Sequence, residues 1–420
     1  MRLPAIMTYC FLFAAFTCFA QQGSLAKNRG SLTTYSASLG SKINELPGAF
    51  TDSMLVAANL TFKSSGGHNF IMGRNYRAEW KTPIKVPIID LATEKGGLTP
   101  LKKGGGKQTK SLRLEDANGR QYTLRSIRKY VTDEALPAEL RGTFAKDVIS
   151  DGVSASYPYA ALSVAKLSEA AGVLHGNPKV VYIPDDERLG EYRKEFANTL
   201  ALFEERVPDS IGKTYDTEEV VEKLQDDNNN AVDQLVLLRT RLLDMFIMDL
   251  DRHEGQWTWA AYDNGKGRTF YPIAKDRDQA FFINEGLIPG LARKSWVAPQ
   301  VQGFRAKAIN INRFNFAARN LDRFFLNEVS EEQWRKTTEE LLSKMTDGVI
   351  EDAMNQQPKE IRNISAGTIT QKLKERRKYF LDESMRYYRF LAKYVNVIGS
   401  DKKELFDIDR KDDGDLTLTV

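Results

Sequence analysis

The apolar and polar positions along the chain predict three β-hairpins. In "LRLEDANGRQYTL" apolar residues alternate with polar ones on both sides of Asn118-Gly119, a dipeptide typical of tight hairpin turns. A second alternating pair of segments spans residues 257–282 and turns at Asp263-Asn264-Gly265. A third alternation surrounds Asp413-Gly414 near the end of the chain. Residues 110–129, 257–282 and 396–420 are therefore predicted to be hairpins.

Other segments show the spacing of helices or of single strands. Residues 137–175 read as helical, with a break near Pro158 and a stop at Gly172. Apolar residues recur at three and four positions through 217–250 and again through 330–395, which predicts amphipathic helices. The short apolar runs "PKVVYIPDD" and "TLALFEERV" predict strands, and "NYRAEWKTPIKVPIIDL" predicts an edge strand because it contains two prolines.

The N-terminal residues have the pattern of a secretory signal peptide. One basic residue precedes an apolar run, and small residues precede "QQGS", which predicts cleavage near Ala20. A membrane anchor and a lipid attached to Cys18 are the alternatives. Both cysteines lie in this segment, so the processed chain would have no disulfide, and export to a bacterial periplasm or cell envelope is the expectation. No later apolar run reaches the length of a transmembrane helix.

Composition excludes several classes of protein. The chain has 420 residues, 42% of them hydrophobic, which is enough for a sizeable core. Its 60 Lys and Arg and 56 Asp and Glu are scattered, so no basic stretch indicates a nucleic-acid partner. With three histidines and no cysteine after residue 20, a His/Cys zinc site is not expected. Residues 21–70 lack a sustained period and are expected to form a mobile lead-in.

Two acidic segments and one glycine-rich segment are the candidates for chemistry. "DLDRHEGQW" follows the apolar helix directly and contains Asp251, His253 and Gln256, whereas "PIAKDRDQAF" contains Asp276 and Asp278. "KKGGGKQTKSL" could bring backbone N–H groups close to a phosphate. Each segment has an ordinary alternative: a polar turn after a helix, or a flexible loop.

The order of these parts resembles the protein-kinase-like fold over roughly residues 100–290. "DLDRHEGQW" is similar to the catalytic loop of phosphoinositide lipid kinases and secretory-pathway casein kinases. "PIAKDRDQAF" is similar to the metal-binding segment of atypical kinases, including the spore-coat-protein H kinases. The resemblance implies an α+β, bilobal fold with a small antiparallel-sheet lobe and a larger, mainly helical lobe. It places the nucleotide-binding region in 71–206 and the catalytic and metal loops in 207–395.

The resemblance also implies a role for residues of the two acidic segments. Asp251 would act as the base toward the acceptor hydroxyl, and Asp276 would be the main metal ligand, with Asp278 as the second candidate. Gln256 stands where lipid kinases carry a metal-binding Asn. His253 is expected to order the catalytic loop by hydrogen bonding.

On the phosphate side, the implied residues belong to the first hairpin and the strands around it. Arg125 stands where kinases carry a phosphate-binding Lys, with Lys129 further on, and either Asp147 or Asp151 would be the helix acid that pairs with this cation. The strand "LALFEERV" would face an adenine near Phe203 to Glu205. The remaining phosphate-binding candidates are Gly104, Gly105, Gly106, Lys107 and Lys110.

These roles predict an exported kinase-like phosphotransferase that uses ATP or another nucleotide with Mg²⁺ or Mn²⁺. Its acceptor would be a protein, a lipid or a glycan. The alternative is an inactive kinase-fold binding module with a partner protein in the cell envelope, since similar segments resemble regions attached to phosphoesterase and outer-membrane barrel domains. A third reading is a metal-dependent hydrolase or glycosyl-transfer enzyme that uses Asp276 and Asp278.

Overall fold

A computed structural model of the chain describes residues 52–62, 65–104, 109–129, 131, 145–206, 213–292, 300–397, 399–414 and 416–419. The predicted signal peptide therefore lies outside the described residues. Within the described part of the chain, no helix combines the length and the apolar character needed to cross a membrane.

Within the described residues, the strands form one large sheet and three small ones. In chain order they are β1 Ser53–Val56, β2 Ile84–Pro87, β3 Leu98–Gly104, β4 Ser111–Asp116, β5 Gln121–Ser126, β6 Lys179–Ile183, β7 Thr199–Glu205, β8 Thr214–Tyr215, β9 Ala231–Val232, β10 Trp257–Asp263, β11 Arg268–Ala274, β12 Asp407–Arg410 and β13 Leu416–Thr419. The large sheet is antiparallel with the order β3-β4-β5-β7-β6, and a second sheet has the order β8-β10-β11-β9.

Strand alternation gives the large sheet two different faces. Leu112 and Leu124 point to a small apolar core that they share with Phe203. The opposite face carries Arg125, which pairs in register with Leu202 of the main core. One face of this lobe is therefore an apolar core, whereas the other carries charged side chains toward the rest of the molecule.

The helices make up most of the second lobe. In chain order they are α1 Gly66–Met72, α2 Arg77–Lys81, α3 Ala145–Gly152, α4 Ala160–Ala171, α5 Arg193–Phe196, α6 Thr217–Asp226, α7 Gln234–Phe246, α8 Leu287–Ala292, α9 Ile311–Phe314, α10 Arg319–Phe325, α11 Glu331–Lys344, α12 Asp347–Asn355, α13 Lys359–Ile361 and α14 Gly367–Leu391. A single π-helical turn, Arg362–Ala366, leads into α14.

Helices α7 and α14 hold the segment that precedes the acidic loop. Phe246 packs edge-on against Phe380, with ring centroids 5.3 Å apart. Arg376 is fully buried and donates to the carbonyl oxygens of Phe246 and Met245, at 2.8 and 3.0 Å, while it pairs with Glu383 at 3.0 Å. This arginine satisfies carbonyls at the C-terminus of α7, which have no partner within the helix. The loop after α7 therefore starts from a fixed position.

The predicted α+β class, with a small antiparallel-sheet lobe and a larger helical lobe, is confirmed. Hairpins form at the three predicted turns, but the second one, predicted over 257–282, ends at Ala274. The hairpin at Asn118-Gly119 turns with a positive φ of 79° at Gly119, a value that favours glycine. The helix predicted over 217–250 is instead two helices, α6 and α7. Between them Asp227, Asn229 and Asn230 form local side-chain hydrogen bonds that end α6.

The segments around residue 70 also differ from the prediction. Residues 53–56, within the predicted lead-in, form β1, and residues 66–70 begin α1. In "NYRAEWKTPIKVPIIDL" the predicted strand is confined to β2, and α2 precedes it. Trp80 of α2 is buried and donates to the carbonyl oxygen of Ser156 at 2.9 Å. Tertiary burial of this tryptophan thus outweighs the local strand pattern.

Candidate functional site

A cleft of about 280 Å³ opens between the charged face of the large sheet and the helical lobe. Gly104 at the end of β3 and Asp276 after β11 both line it. Arg125, Glu204 and Glu205 line the same cleft from the sheet. One residue of the glycine-rich segment and one of the second acidic segment therefore lie in the same cleft.

The β10–β11 hairpin brings the two acidic segments together. Trp257 pairs with Ala274 in register, and the carbonyl oxygen of Gln256 accepts from the Lys275 N–H at 2.9 Å. The loop before β10 and the loop after β11 therefore leave the hairpin side by side. Asp276 has a positive φ of 53°, which is uncommon for a residue with a side chain and is found often at functional sites.

A buried arginine fixes the loop that contains Asp251. Arg252 donates to the carbonyl oxygens of Lys275 and Gln256, at 2.7 and 3.1 Å, and its guanidinium lies 5.0 Å from the ring centroid of Trp257. Its Nε also lies 3.3 Å from Asp244. Because Arg252 binds both loops, the position of Asp251 is tied to the start of the Asp276 loop.

Two ion pairs connect the sheet lobe to the acidic segments. Arg125 Nη1 lies 2.5 Å from Asp276 Oδ2, and Lys129 Nζ lies 2.7 Å from Asp278 Oδ2. Glu204, on the neighbouring strand β7, is 3.8 Å from Arg125 Nη2. Burial would raise the pKa of Asp276, but Arg125 and then Lys129 hold it below its ordinary value. The pKa of Asp278 is raised by burial although Lys129 opposes the shift.

Asp251 has a strongly perturbed carboxyl group. Burial, followed by the charges of Asp249, Asp278 and Asp276, raises the pKa of Asp251 to about 7. Burial also raises the pKa of Asp249 to about 7. Among the described residues, Asp251 Oδ1 and Asp249 Oδ2 are buried oxygens with no hydrogen-bond partner. Unpaired buried acceptors of this kind are costly and are frequent where a ligand binds.

His253 orders the loop. Its Nδ1 accepts from the Gly255 N–H at 3.0 Å and caps a short 3₁₀ turn, Glu254–Gln256. Its Nε2 lies 3.9 Å from Asp251 Oδ1, which is too far for a hydrogen bond. Burial, with help from Arg252, lowers the pKa of His253, so the imidazole is neutral at pH 7.

The acidic residues fit a divalent metal in chemistry, although the chain alone does not make a closed site. Carboxylate oxygens are the ligands that Mg²⁺ prefers, and this ion usually combines one or two carboxylates with substrate phosphates. No group of three or more His, Cys, Asp or Glu in the described part of the chain is arranged to hold a metal. Asp276 and Asp278 would hold the ion together with phosphate oxygens.

Several predicted residues are placed away from the cleft, and three lie outside the described residues. Lys110 Nζ lies 3.9 Å from Glu195, on the side of the sheet opposite Arg125. Asp151 pairs with Arg77 through two contacts of 2.6 and 2.5 Å, so it is not the partner of Arg125. Asp147 is exposed. The undescribed candidates are Gly105, Gly106 and Lys107.

The sequence prediction missed Glu204 as the sheet acid near Arg125. A helix acid was expected, whereas this carboxylate comes from β7, and burial raises its pKa despite the nearby guanidinium. Strand alternation could have found it, because Glu204 follows Leu202 by two residues and Leu202 pairs with Arg125. The neighbouring Glu205, which was predicted to face the ligand, also lines the cleft.

No protein-family model matches the chain, and no curated protein matches it. Among solved structures, the chain is similar to the proinflammatory kinase CtkA of Helicobacter pylori, with 12% identity and a TM-score of 0.35, over 67% of this chain and 94% of that one. It is also similar to a structure of the Shewanella oneidensis MR-1 toxin–antitoxin system HipA, HipB and operator DNA. That likeness has 12% identity and a TM-score of 0.27, over 75% of this chain and 78% of the other.

Proposed function

We propose that the protein is an exported, kinase-like phosphotransferase that binds a nucleotide and Mg²⁺ or Mn²⁺ in this cleft. The observation that carries the proposal is the pair of contacts Arg125–Asp276 and Lys129–Asp278, at 2.5 and 2.7 Å. They link cations of the sheet lobe to acids of the helical lobe, and the Arg125–Asp276 pair lines the cleft. Phosphoryl transfer needs cations around the phosphates, acids for the metal and an acid near the acceptor hydroxyl.

Each of these parts has a candidate on the chain. Arg125 and Lys129 supply donors for phosphate oxygens, and a guanidinium can hold a phosphate through two hydrogen bonds. Asp276 and Asp278 supply the carboxylates, and a bound divalent ion would neutralise charge on the phosphates. Binding of a nucleotide with its metal would separate the two ion pairs, since each cation would turn to phosphate.

Asp251 suits the role of acceptor base. A carboxyl with a pKa of about 7 is half-ionised near neutral pH, where a base that must take and release a proton works best. Arg252 and His253 hold its loop in place through the contacts described above. Asp251 would accept the proton of an acceptor hydroxyl on a protein, a lipid or a glycan of the cell envelope.

A second candidate function is a binding module of the same fold that transfers no phosphate and holds an envelope partner. Two departures favour it: Arg125 replaces the phosphate-binding lysine, and Gln256, a neutral residue, stands in the place of a metal-binding Asn. Among the described residues, moreover, the acids do not form a metal site without a ligand. Export to an envelope that contains little ATP would also favour the binding module.

Two substitutions separate the two functions. Asp276→Ala should abolish metal-dependent binding of ATP, measured by calorimetry, because the triphosphate would lose the carboxylate that holds its counter-ion. Asp251→Asn should keep this binding while transfer of labelled phosphate to envelope extracts falls at least ~10²-fold. The exposed Asp382→Asn serves as a control that should change neither readout.

The outcomes are distinct. Binding without transfer in the wild type, with Asp251→Asn indistinguishable from it, would establish the binding module instead. If Asp276→Ala and Asp251→Asn both leave binding and transfer unchanged, the cleft is not a phosphotransferase site.

A further inference from the structure

The cleft carries more positive than negative side chains. Among the described residues that line it, six are cationic and three are acidic. The cations are Lys102, Arg113, Arg125, Arg206, Lys275 and Arg277, and the acids are Glu204, Glu205 and Asp276. Two of the cations are already paired: Arg125 with Asp276, and Arg277 with Asp244 at 2.8 Å. Four cations therefore remain against two acids, Glu204 and Glu205.

These four cations form no ion pair within the described part of the chain. The guanidinium of Arg206 donates to a neutral partner, Gln121 Oε1, at 3.0 Å. Arg113 pairs in register with Lys102 and with Thr123. Thr123 pairs with Glu204, two residues before Arg206, so strand alternation places Arg113 and Arg206 on one face of the sheet. Like charges gathered in one cleft repel each other unless an anion binds between them.

These cations line the cleft in which the kinase resemblance expects an adenine. Arg206 directly follows β7, the strand expected to face the base, and Arg113 is on β4 across the sheet. Lys275 precedes Asp276 at the end of β11. Sites for neutral rings are mostly apolar with a few polar groups. Three cations around a neutral base would gain no charge pairing from it.

We infer that Arg113, Arg206 and Lys275 form a second anion subsite, which takes a phosphate group of the ligand in addition to those held at Arg125 and Asp276. This inference rests on the proposed nucleotide and metal cleft and specifies its ligand class. The ligand carries phosphate groups at two separate positions. Short-chain inorganic polyphosphate and a nucleotide phosphorylated on its ribose both have this chemistry.

The test is calorimetric binding of three probes, each with Mg²⁺. They are short-chain inorganic polyphosphate, adenosine bisphosphate with one phosphate at each of two ribose positions, and ATP. They are titrated into the wild type, the double variant Arg113→Gln/Arg206→Gln and Asp276→Ala. Lys179→Gln is the matched control, because it removes one charge from β6 on the face opposite the cleft. Thermal unfolding of each variant checks that it folds.

The double variant should weaken at least one of the two phosphate-rich probes by about 10- to 100-fold, the usual effect of losing hydrogen bonds to a charged group. ATP should lose much less affinity, and Lys179→Gln should change none of the three. The probe that responds identifies the source of the second phosphate.

An equal loss of affinity for all three probes would overturn the inference, because it would indicate general electrostatic attraction to the cleft rather than a specific subsite. No weakening of any probe would overturn it as well, because the cations would then be solvated. Either result, with ATP binding still lost in Asp276→Ala, would leave the proposed function intact. Binding of ATP that ignores Asp276→Ala, or no binding of any probe by the wild type, would instead refute the proposed function and this inference with it.

Discussion

Replacing Asp251 by Asn should stabilise the metal-free protein at pH 8 and have little effect at pH 4. Burial and three neighbouring acids raise the pKa of Asp251 from 3.8 to about 7, so the folded protein binds this proton more tightly than the unfolded chain. Ionising Asp251 in the folded protein therefore costs free energy. This cost is absent below pH ~4, grows between pH ~4 and ~7, and reaches its full size above that range. Asn carries no charge at any pH and escapes this cost.

The size of the effect follows from the pKa. The difference between the ordinary and the raised pKa corresponds to at most about 4 kcal/mol. The side chain is 24% exposed and shares its shift with Asp249, so a stabilisation of about 1 to 3 kcal/mol at pH 8 is the expectation. Urea unfolding in the presence of a chelator at pH 4, 6 and 8 measures it.

An exposed acid on α14 provides the control. Asp382→Asn should change the free energy of unfolding by less than about 0.5 kcal/mol at each pH. Destabilisation of the protein by Asp251→Asn at pH 8, or an effect of the same size at all three pH values, would contradict the prediction. Either result would mean that burial and the neighbouring acids do not disfavour the ionised form of Asp251.

Two further predictions concern the ion pairs. Arg125→Ala should lower the free energy of unfolding by about 1 to 3 kcal/mol, since it leaves the half-buried Asp276 without its main partner. Adding Asp276→Ala should restore part of the loss. Urea denaturation of both single variants and the double variant tests this, and strictly additive losses would contradict it. Asp151→Asn should cost about 2 kcal/mol because Arg77 is 3% exposed and loses its carboxylate, yet ATP affinity should stay unchanged. A loss of ATP affinity in that variant would indicate that Asp151 belongs to the nucleotide site.

The parts of the fold that could be predicted from sequence are those with local causes. The hairpin at Asn118-Gly119 depends on a turn residue with positive φ and on alternation in adjacent segments, and both can be read from the chain. The course of 77–87 could not be predicted, because the short helix there depends on burial of Trp80 against distant residues.

The candidate site likewise has parts that could be predicted from sequence and parts that could not. Asp251 and Asp276 could be proposed from their motifs, and the β10–β11 hairpin that brings their loops together was predicted as well. The face of the sheet could not be assigned from sequence: Lys110 and Arg125 belong to the same hairpin, yet alternation sends them to opposite sides. The ion-pair partner of Asp151 could not be predicted from sequence either, because Asp151 pairs with Arg77, which lies 74 residues away in the chain.

The most direct test of the central claim is a crystal structure with Mn²⁺ and a non-hydrolysable ATP analogue, with the metal located by its anomalous scattering. We expect Mn²⁺ bound to a carboxylate oxygen of Asp276 or Asp278, phosphate oxygens on the same ion, and Arg125 turned from Asp276 to phosphate. A nucleotide bound elsewhere, or a cleft in which the Arg125–Asp276 contact of 2.5 Å persists beside the analogue with no metal, would contradict it.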